Sequence, residues 1–280
     1  MTTASAQAAA TPGRRVAHWR RARRLPGWVL GSVGVIVALA AWIALSQLLA
    51  GGGGVINRLP GPAAVLRELV AYASRDLLTD VAASLRVFGI GWSLGVFAAT
   101  GIGLLFGRLP ALGHTFLPII EAIRPVSSIA WVPLSVVWFG FGLTGKVFLV
   151  GLAVFLVVIV YAVDGCTRIP DDLARTASML GMSAWQRFRA LILPGTLAEV
   201  LIGSRVALMA GWGTVIVAEL VAADSGLGAH LIAVQQSYDV PAVMATMACF
   251  GITGFVMNGV FSLVEARLMP WRPRASGRAT

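Results

Sequence analysis

Residues 164–197 read DGCTRIPDDLARTASMLGMSAWQRFRALILPGTL, a polar, arginine-bearing segment between two long apolar runs. Pro170 suits the first turn of a helix, and Asp171 with Asp172 places negative charge where the helix dipole is positive. Leu173, Ala177 and Leu180 then share one face. Gly181 is placed to take the left-handed conformation that ends such a helix. Ser183 with Gln186 reads as a capping box opening a second helix, whose Trp185, Phe188, Leu191 and Ile192 gather on one side. Pro194 is expected to stop that helix at the membrane. Two helices this short cannot bury their apolar face alone. From the pattern, the pair lies on the membrane, packs under a bundle or docks into another protein.

The flanks of this segment decide its setting. Hydrophobic residues make up 58% of the 280-residue chain and charged residues 12%, against about 25% charged in soluble proteins. The mean hydropathy is +0.83. Too little polar surface is present for a water-soluble globule, and a disordered chain is excluded as well. Uncharged runs long enough to cross a bilayer extend over Trp28–Ala50, Val87–Gly107, Pro125–Gly145, Val147–Val163 and Val240–Val264. A further run, Val206–Ala218, continues past Glu219 to Ala223 and starts near Ala198. The fold expected is therefore an all-α integral membrane protein of six spans. Residues 1–27 form a basic N-terminal tail, 28–76 the first span and an external segment, 77–271 the core, and 272–280 a C-terminal tail.

Charge orients the spans. Arg14, Arg15, Arg20, Arg21, Arg23 and Arg24 precede the first run; Arg168, Arg175, Arg187 and Arg189 lie in 164–197; Arg267, Arg272, Arg274 and Arg278 close the chain. With six spans and a cytoplasmic N-terminus, all three clusters fall on the inner side, as arginine's resistance to translocation demands. Both termini are then cytoplasmic, and residues 51–80 and 224–239 are external. A net charge of +10 distributed this way marks membrane flanks and not nucleic-acid binding.

The third span is the irregular one. Pro118, Pro125 and Pro133 interrupt it, and Glu121 and Arg124 make its start polar. Freed backbone carbonyls are tolerated at membrane depth only against protein or a water-filled cavity. Glu121, Arg124, Pro125, Trp131, Pro133 and the intramembrane Glu219 are therefore the candidate translocation path. Glu121 and Arg124, three apart on one face, either pair with each other or serve an anion route. Arg86 and Arg205, near span ends, are expected to snorkel. The small-residue rows Gly91, Gly95, Ala99, Gly103, Gly107 and Gly203, Ala207, Gly211 permit close helix approach, within one bundle or between subunits.

Two motifs are set aside. Gly140–Lys146 matches the first seven positions of a phosphate-binding loop, but Val147 replaces the hydroxyl that would hold magnesium. A tight turn between spans explains its glycines. His18, His114 and His230 have no metal-ligand spacing, no catalytic set stands out, and no cofactor or metal is expected. Cys166 and Cys249 read as free thiols.

The motifs carry a resemblance. Ala177, Gly181, Leu193 and Pro194 resemble the Glu-Ala-Ala…Gly…Ile-x-Leu-Pro loop of ABC importer permeases. The stretch from Glu121-Ala-Ile-Arg-Pro-Val through Trp131-Val-Pro-Leu to Trp138-Phe-Gly-Phe-Gly is similar to the third-span signature of that family's nitrate/sulfonate/taurine branch. Ala218-Glu-Leu with Ser225-Gly-Leu-Gly228 resembles the branch's segment after the fifth span. Arg175 stands at the family's glutamate position, Thr176 at its first alanine and Leu191 at its isoleucine.

The resemblance implies a permease of a bacterial inner membrane with no ATPase site of its own. It implies a homodimer, two cytoplasmic ABC ATPase subunits, an extracytoplasmic solute-binding protein, and a small anionic solute of sulfonate, taurine or nitrate type. It also implies that Arg175, Thr176, Ala177, Leu180, Gly181, Leu193 and Pro194 form the coupling loop on which the ATPase acts, driving alternating access. A stand-alone six-helix secondary transporter is the alternative; it gives no reason for the cytoplasmic helix pair.

Overall fold

The computed structural model describes residues 27–50, 59–168, 171–221 and 225–269. The arginine-rich start of the chain, Pro170 and the tail 272–280 lie outside the described residues. Within them every regular element is helical. In chain order these are α1 (Gly27–Ala50), α2 (Pro62–Ala73), α3 (Leu77–Arg108), α4 (Pro110–Ile123), a 3-10 turn (Ser128–Trp131), α5 (Val132–Phe139), α6 (Leu143–Thr167), α7 (Asp171–Met179), α8 (Ala184–Arg187), a π turn (Phe188–Ile192), α9 (Leu193–Val221), α10 (Leu227–Gln236) and α11 (Val240–Leu268).

Five stretches are long and apolar enough to cross a membrane: α1, α3, α6, the run α8–α9 and α11. The pair α4 and Ser128–Phe139, bent by 96° at the break between them, is apolar enough to count together as a sixth, broken span or as a re-entrant loop. This corrects the expected span Pro125–Gly145. The helix begins at Pro110, in residues expected to be a loop, and breaks at Arg124–Ser127. Pro125 supplies no amide hydrogen to carry the helix on, and Arg124 is the last residue with helical dihedrals before the break. Ser127 restarts the chain by accepting a hydrogen bond from the Ile129 N–H at 3.4 Å. The second span also starts earlier than its apolar run, at Leu77.

The core is α3, α6 and α9 packed together, with Ala99, Val154, Val158, Ala162, Ala207 and Val215 closed to solvent. The small-residue rows make this contact within one chain. A Cβ at Gly95 would lie 2.6 Å from the Gly151 carbonyl, one at Gly203 2.6 Å from the Tyr161 ring, and one at Gly211 2.8 Å from Val154. Gly103 and Gly107 meet Ala162 and Cys166 just as tightly. Such spacing lets backbones approach where a larger side chain would force them apart. Helix α11 is fastened by Trp212, whose indole N–H donates to the Phe250 carbonyl at 3.1 Å. Arg205 does not snorkel but donates to Glu265 at 3.1 Å. By contrast α1 stands almost wholly exposed, joined through Trp42 N–H to the Pro60 carbonyl at 3.1 Å. An apolar helix so bare in an isolated chain has a face for lipid or another subunit.

Candidate functional site

Three arrangements carry chemistry, and the first is the elbow at one end of the bundle. Helix α7 ends in a Schellman motif: the Met182 N–H reaches the Ala177 carbonyl at 3.1 Å and the Gly181 N–H reaches Ser178 at 3.0 Å. Gly181 has φ +72°, which a side chain would strain. The capping box then opens α8: the Ser183 N–H donates to Gln186 Oε1 at 2.8 Å, and the Gln186 N–H donates to Ser183 Oγ at 3.3 Å. Arg187 donates to Ser178 Oγ across the elbow at 3.1 Å. The Arg108 guanidinium lies 5.5 Å from the Phe188 ring, tying the end of α3 to it.

Pro194 does not stop the second helix. The Leu193 N–H reaches five residues back to the Phe188 carbonyl, and the chain runs helical from Ala184 to Val221. The wider π turn absorbs the donor that proline lacks. The elbow is thereby built directly onto a membrane span. Ala177 is buried, but Met179, Leu180 and Trp185 are 87%, 75% and 62% exposed. Arg175 and Thr176 lie on the exposed surface as well, with the Thr176 hydroxyl donating to the Asp172 carbonyl at 2.7 Å.

The bend between α4 and α5 is the second arrangement. Glu121, Arg124 and Pro125 lie exposed at its apex, and Pro133 is exposed in the first turn of α5. The expected Glu121–Arg124 pair does not form: the only ion pairs among the described residues are Arg168–Asp164 and Arg205–Glu265. Arg124 keeps helical register, its N–H reaching the Ile120 carbonyl at 3.0 Å, and both side chains stand exposed without meeting. Trp131 packs beside Val132, Leu149 and Ala218 with its indole N–H buried and unpartnered. Gly140, at φ +72°, and Gly142 form the turn between α5 and α6, and Gly145 lies in the first turn of α6.

The third arrangement holds Glu219, apart from the bend. Its side chain is fully buried. Oε2 accepts from the Gly228 N–H at 2.8 Å and from Ser84 Oγ at 2.9 Å. Ser84 Oγ in turn accepts from the Leu227 N–H at 3.0 Å, and Asp80 accepts from the Gly226 N–H at 3.4 Å. Asp80 also receives the Tyr72 hydroxyl at 2.6 Å, and the Tyr72 ring stacks on His230 with centroids 3.9 Å apart. Burial first, and the Asp80 hydrogen bond second, push the Tyr72 phenol well above the usual tyrosine range, so it stays a donor. Lys146 is also buried, 6% exposed, in the first turn of α6. Of these groups, the sequence reading singled out Glu219 and the glycines. Asp80, Ser84 and Tyr72 carry a detectable signal as polar residues on otherwise apolar faces. No group of His, Cys, Asp and Glu among the described residues could hold a metal ion.

Comparison with known proteins gives this geometry a setting. The description "Binding-protein-dependent transport system inner membrane component" matches residues 91–271. A probable ABC transporter permease protein of Brucella abortus is 32% identical over 253 residues, 90% of this chain and 99% of its own. The taurine transport system permease protein of Escherichia coli is 35% identical over 219 residues, 76% of this chain and 80% of its own. A putative aliphatic sulfonates transport permease protein of Bacillus subtilis is 28% identical over 260 residues, covering 91% and 92%. With an all-helical, multi-span architecture and a family match over most of its length, the chain belongs to the binding-protein-dependent ABC transporter permeases of the taurine, sulfonate and nitrate type.

Proposed function

We propose that this permease is the membrane-spanning half of an ATP-driven importer, working as a homodimer with two cytoplasmic ABC ATPase subunits and an extracytoplasmic solute-binding protein. The elbow end of the bundle and both termini face the cytoplasm, following the arginine clusters. The observation that carries the reading is the exposed apolar elbow joined without interruption to a span. Met179, Leu180 and Trp185 present an unsatisfied apolar face, which a docked ATPase would cover. Arg175, Thr176, Ala177, Leu180 and Gly181 form the docking element. Leu193 and Pro194 follow the π turn through which movement of the ATPase enters the bundle.

The solute is a small anion of the sulfonate, taurine or nitrate type, following the names of the relatives. Its route passes the bend at Glu121, Arg124, Pro125, Trp131 and Pro133. Arg124 offers a free guanidinium to an oxyanion, and the Trp131 indole N–H is a second donor without a partner. Alternating access follows if ATP-driven closure of the ATPases rocks the two bundles about this route. Glu219, placed in the path by sequence reading, takes a closing role instead, developed below.

Purification of the tagged protein from native membranes, with identification of what accompanies it, tests the assembly. An ATPase subunit at one copy per copy of this chain is the expected result, and in proteoliposomes taurine uptake is expected only with ATP. A chain that purifies alone and moves solute without ATP would overturn the proposal and leave a secondary transporter.

A further inference from the structure

The first turn of α10 has its amides taken by side chains from other helices. A helix leaves its first N–H groups without partners, normally for water or a local cap. Here the Gly226, Leu227 and Gly228 N–H groups go to Asp80, Ser84 and Glu219, from α3 and α9. The local sequence is fitted to this. Gly226 has φ +106°, and a Cβ there would lie 2.5 Å from Glu219 Oε1; one at Gly228 would lie 2.5 Å from Glu219 Cβ. The glycines of the 225–228 segment exist to admit a carboxylate.

Three further features of this region bear on how firmly α10 is held. Glu219 Oε1 is fully enclosed and has no hydrogen-bond partner, although Oε2 has two. An unpaired oxygen on a buried carboxylate is costly, so the closed arrangement is less favourable than one in which both oxygens find partners. At its other end α10 runs into Tyr238, an exposed non-glycine residue with φ +57°. Together with Gly226 this gives the helix a backbone joint at each end, as elements that swing require. Behind α10 lies a polar cleft of about 190 Å³ between α2, α10 and α11, lined among others by Glu68, Arg75, Asp76, His230 and Asp239. The stacked rings of Tyr72 and His230 stand beside this cleft and, through the Tyr72–Asp80 hydrogen bond, join it to the carboxylates.

We propose that Asp80, Ser84 and Glu219 form a clasp on the start of α10 that keeps the outer end of the solute route shut, and that it must release for solute to enter. The proposal rests on the importer reading, which places this end outside. Glu219 is then a positioning residue: it holds α10 and does not touch solute. On release, α10 swings away from α2, widening the cleft, and water replaces the side chains at the Gly226–Gly228 amides.

Cross-linking in the assembled transporter tests this. In a protein carrying Cys166→Ala and Cys249→Ala, Tyr72→Cys and His230→Cys place thiols on α2 and α10 within reach of a short, reductant-cleavable bis-thiosulfonate. ATP-driven uptake of radiolabelled taurine is expected to fall at least tenfold on cross-linking and to return with reductant. Comparing one preparation before and after reduction separates the clasp from any folding defect. Uptake that is the same cross-linked and reduced would overturn the proposal. Ser84→Ala supplies a second measure. It removes a link to both Glu219 and Leu227, so solute-independent ATP hydrolysis is expected to rise severalfold and solute stimulation to shrink. An unchanged ratio of the two rates would count against the clasp. Absence of ATP-dependent uptake in the unaltered complex would instead overturn the importer reading, before any cysteine is introduced.

Discussion

The two ends of the bundle are fastened in opposite ways. At the elbow, polar contacts are local, within a few residues of Gly181, and the apolar side chains point outward. Around Glu219 three hydrogen bonds join residues 135 to 146 positions apart, beside shorter-range ones from Gly228 and Tyr72, and they are buried or partly so. Local bonds preserve the shape of a small element while leaving its face free. Long-range bonds between buried groups decide how whole helices sit against each other. On the proposed function, one end meets a partner and the other holds or releases its own helices.

Substitutions should separate the two. Glu219→Ala leaves the Gly228 N–H and the Ser84 hydroxyl without their acceptor in a closed site, and is expected to cost about 3 kcal/mol, read as a lowered Tm in detergent. Gly228→Ala forces a methyl against Glu219 Cβ and is expected to cost about 2 kcal/mol by the same measurement. At the elbow, Gly181→Ala pays only for the left-handed backbone, about 1 kcal/mol, since nothing lies within 4 Å of the added methyl. Its transport defect in the assembled complex should exceed what so small a loss of stability produces. Trp185→Ala removes an exposed ring and should change stability by less than about 0.5 kcal/mol, while co-purification of the ATPase drops severalfold. A Trp185→Ala protein that melts like Glu219→Ala would erase the distinction between the ends.

Much of this was legible in the sequence, and the reasons are local. The capping box at Ser183 and Gln186 and the left-handed Gly181 are set by neighbours a few residues away, so the reading of 164–197 matches the elbow found. Five of the expected spans followed from apolar length, and the sixth corresponds to the bent pair α4 and Ser128–Phe139. What hydropathy could not place was the break in the third span, because Pro118, Pro125 and Pro133 each permit one and packing chooses among them. Pro194 was misread because a π turn relieves it, and no residue pattern announced that turn. The members of the clasp could be noticed singly, but not as one cluster, because Asp80, Ser84 and Gly226 meet only after the core has assembled. Glu219 stood out as an intramembrane charge, which marks importance without saying what the charge touches.

The passage of the helix through Pro194 has a mechanical consequence. The 38 residues from Ala184 to Val221 form one rod of about 57 Å at 1.5 Å per residue, with the elbow at one tip and Glu219 near the other. Such a rod is a lever. A tilt of about 5° around its middle displaces each tip by about 2.5 Å in opposite directions, close to the length of the hydrogen bond between Glu219 and Gly228. A small stroke at Trp185 would thus reach the far side of the membrane without passing through any chain of side-chain contacts.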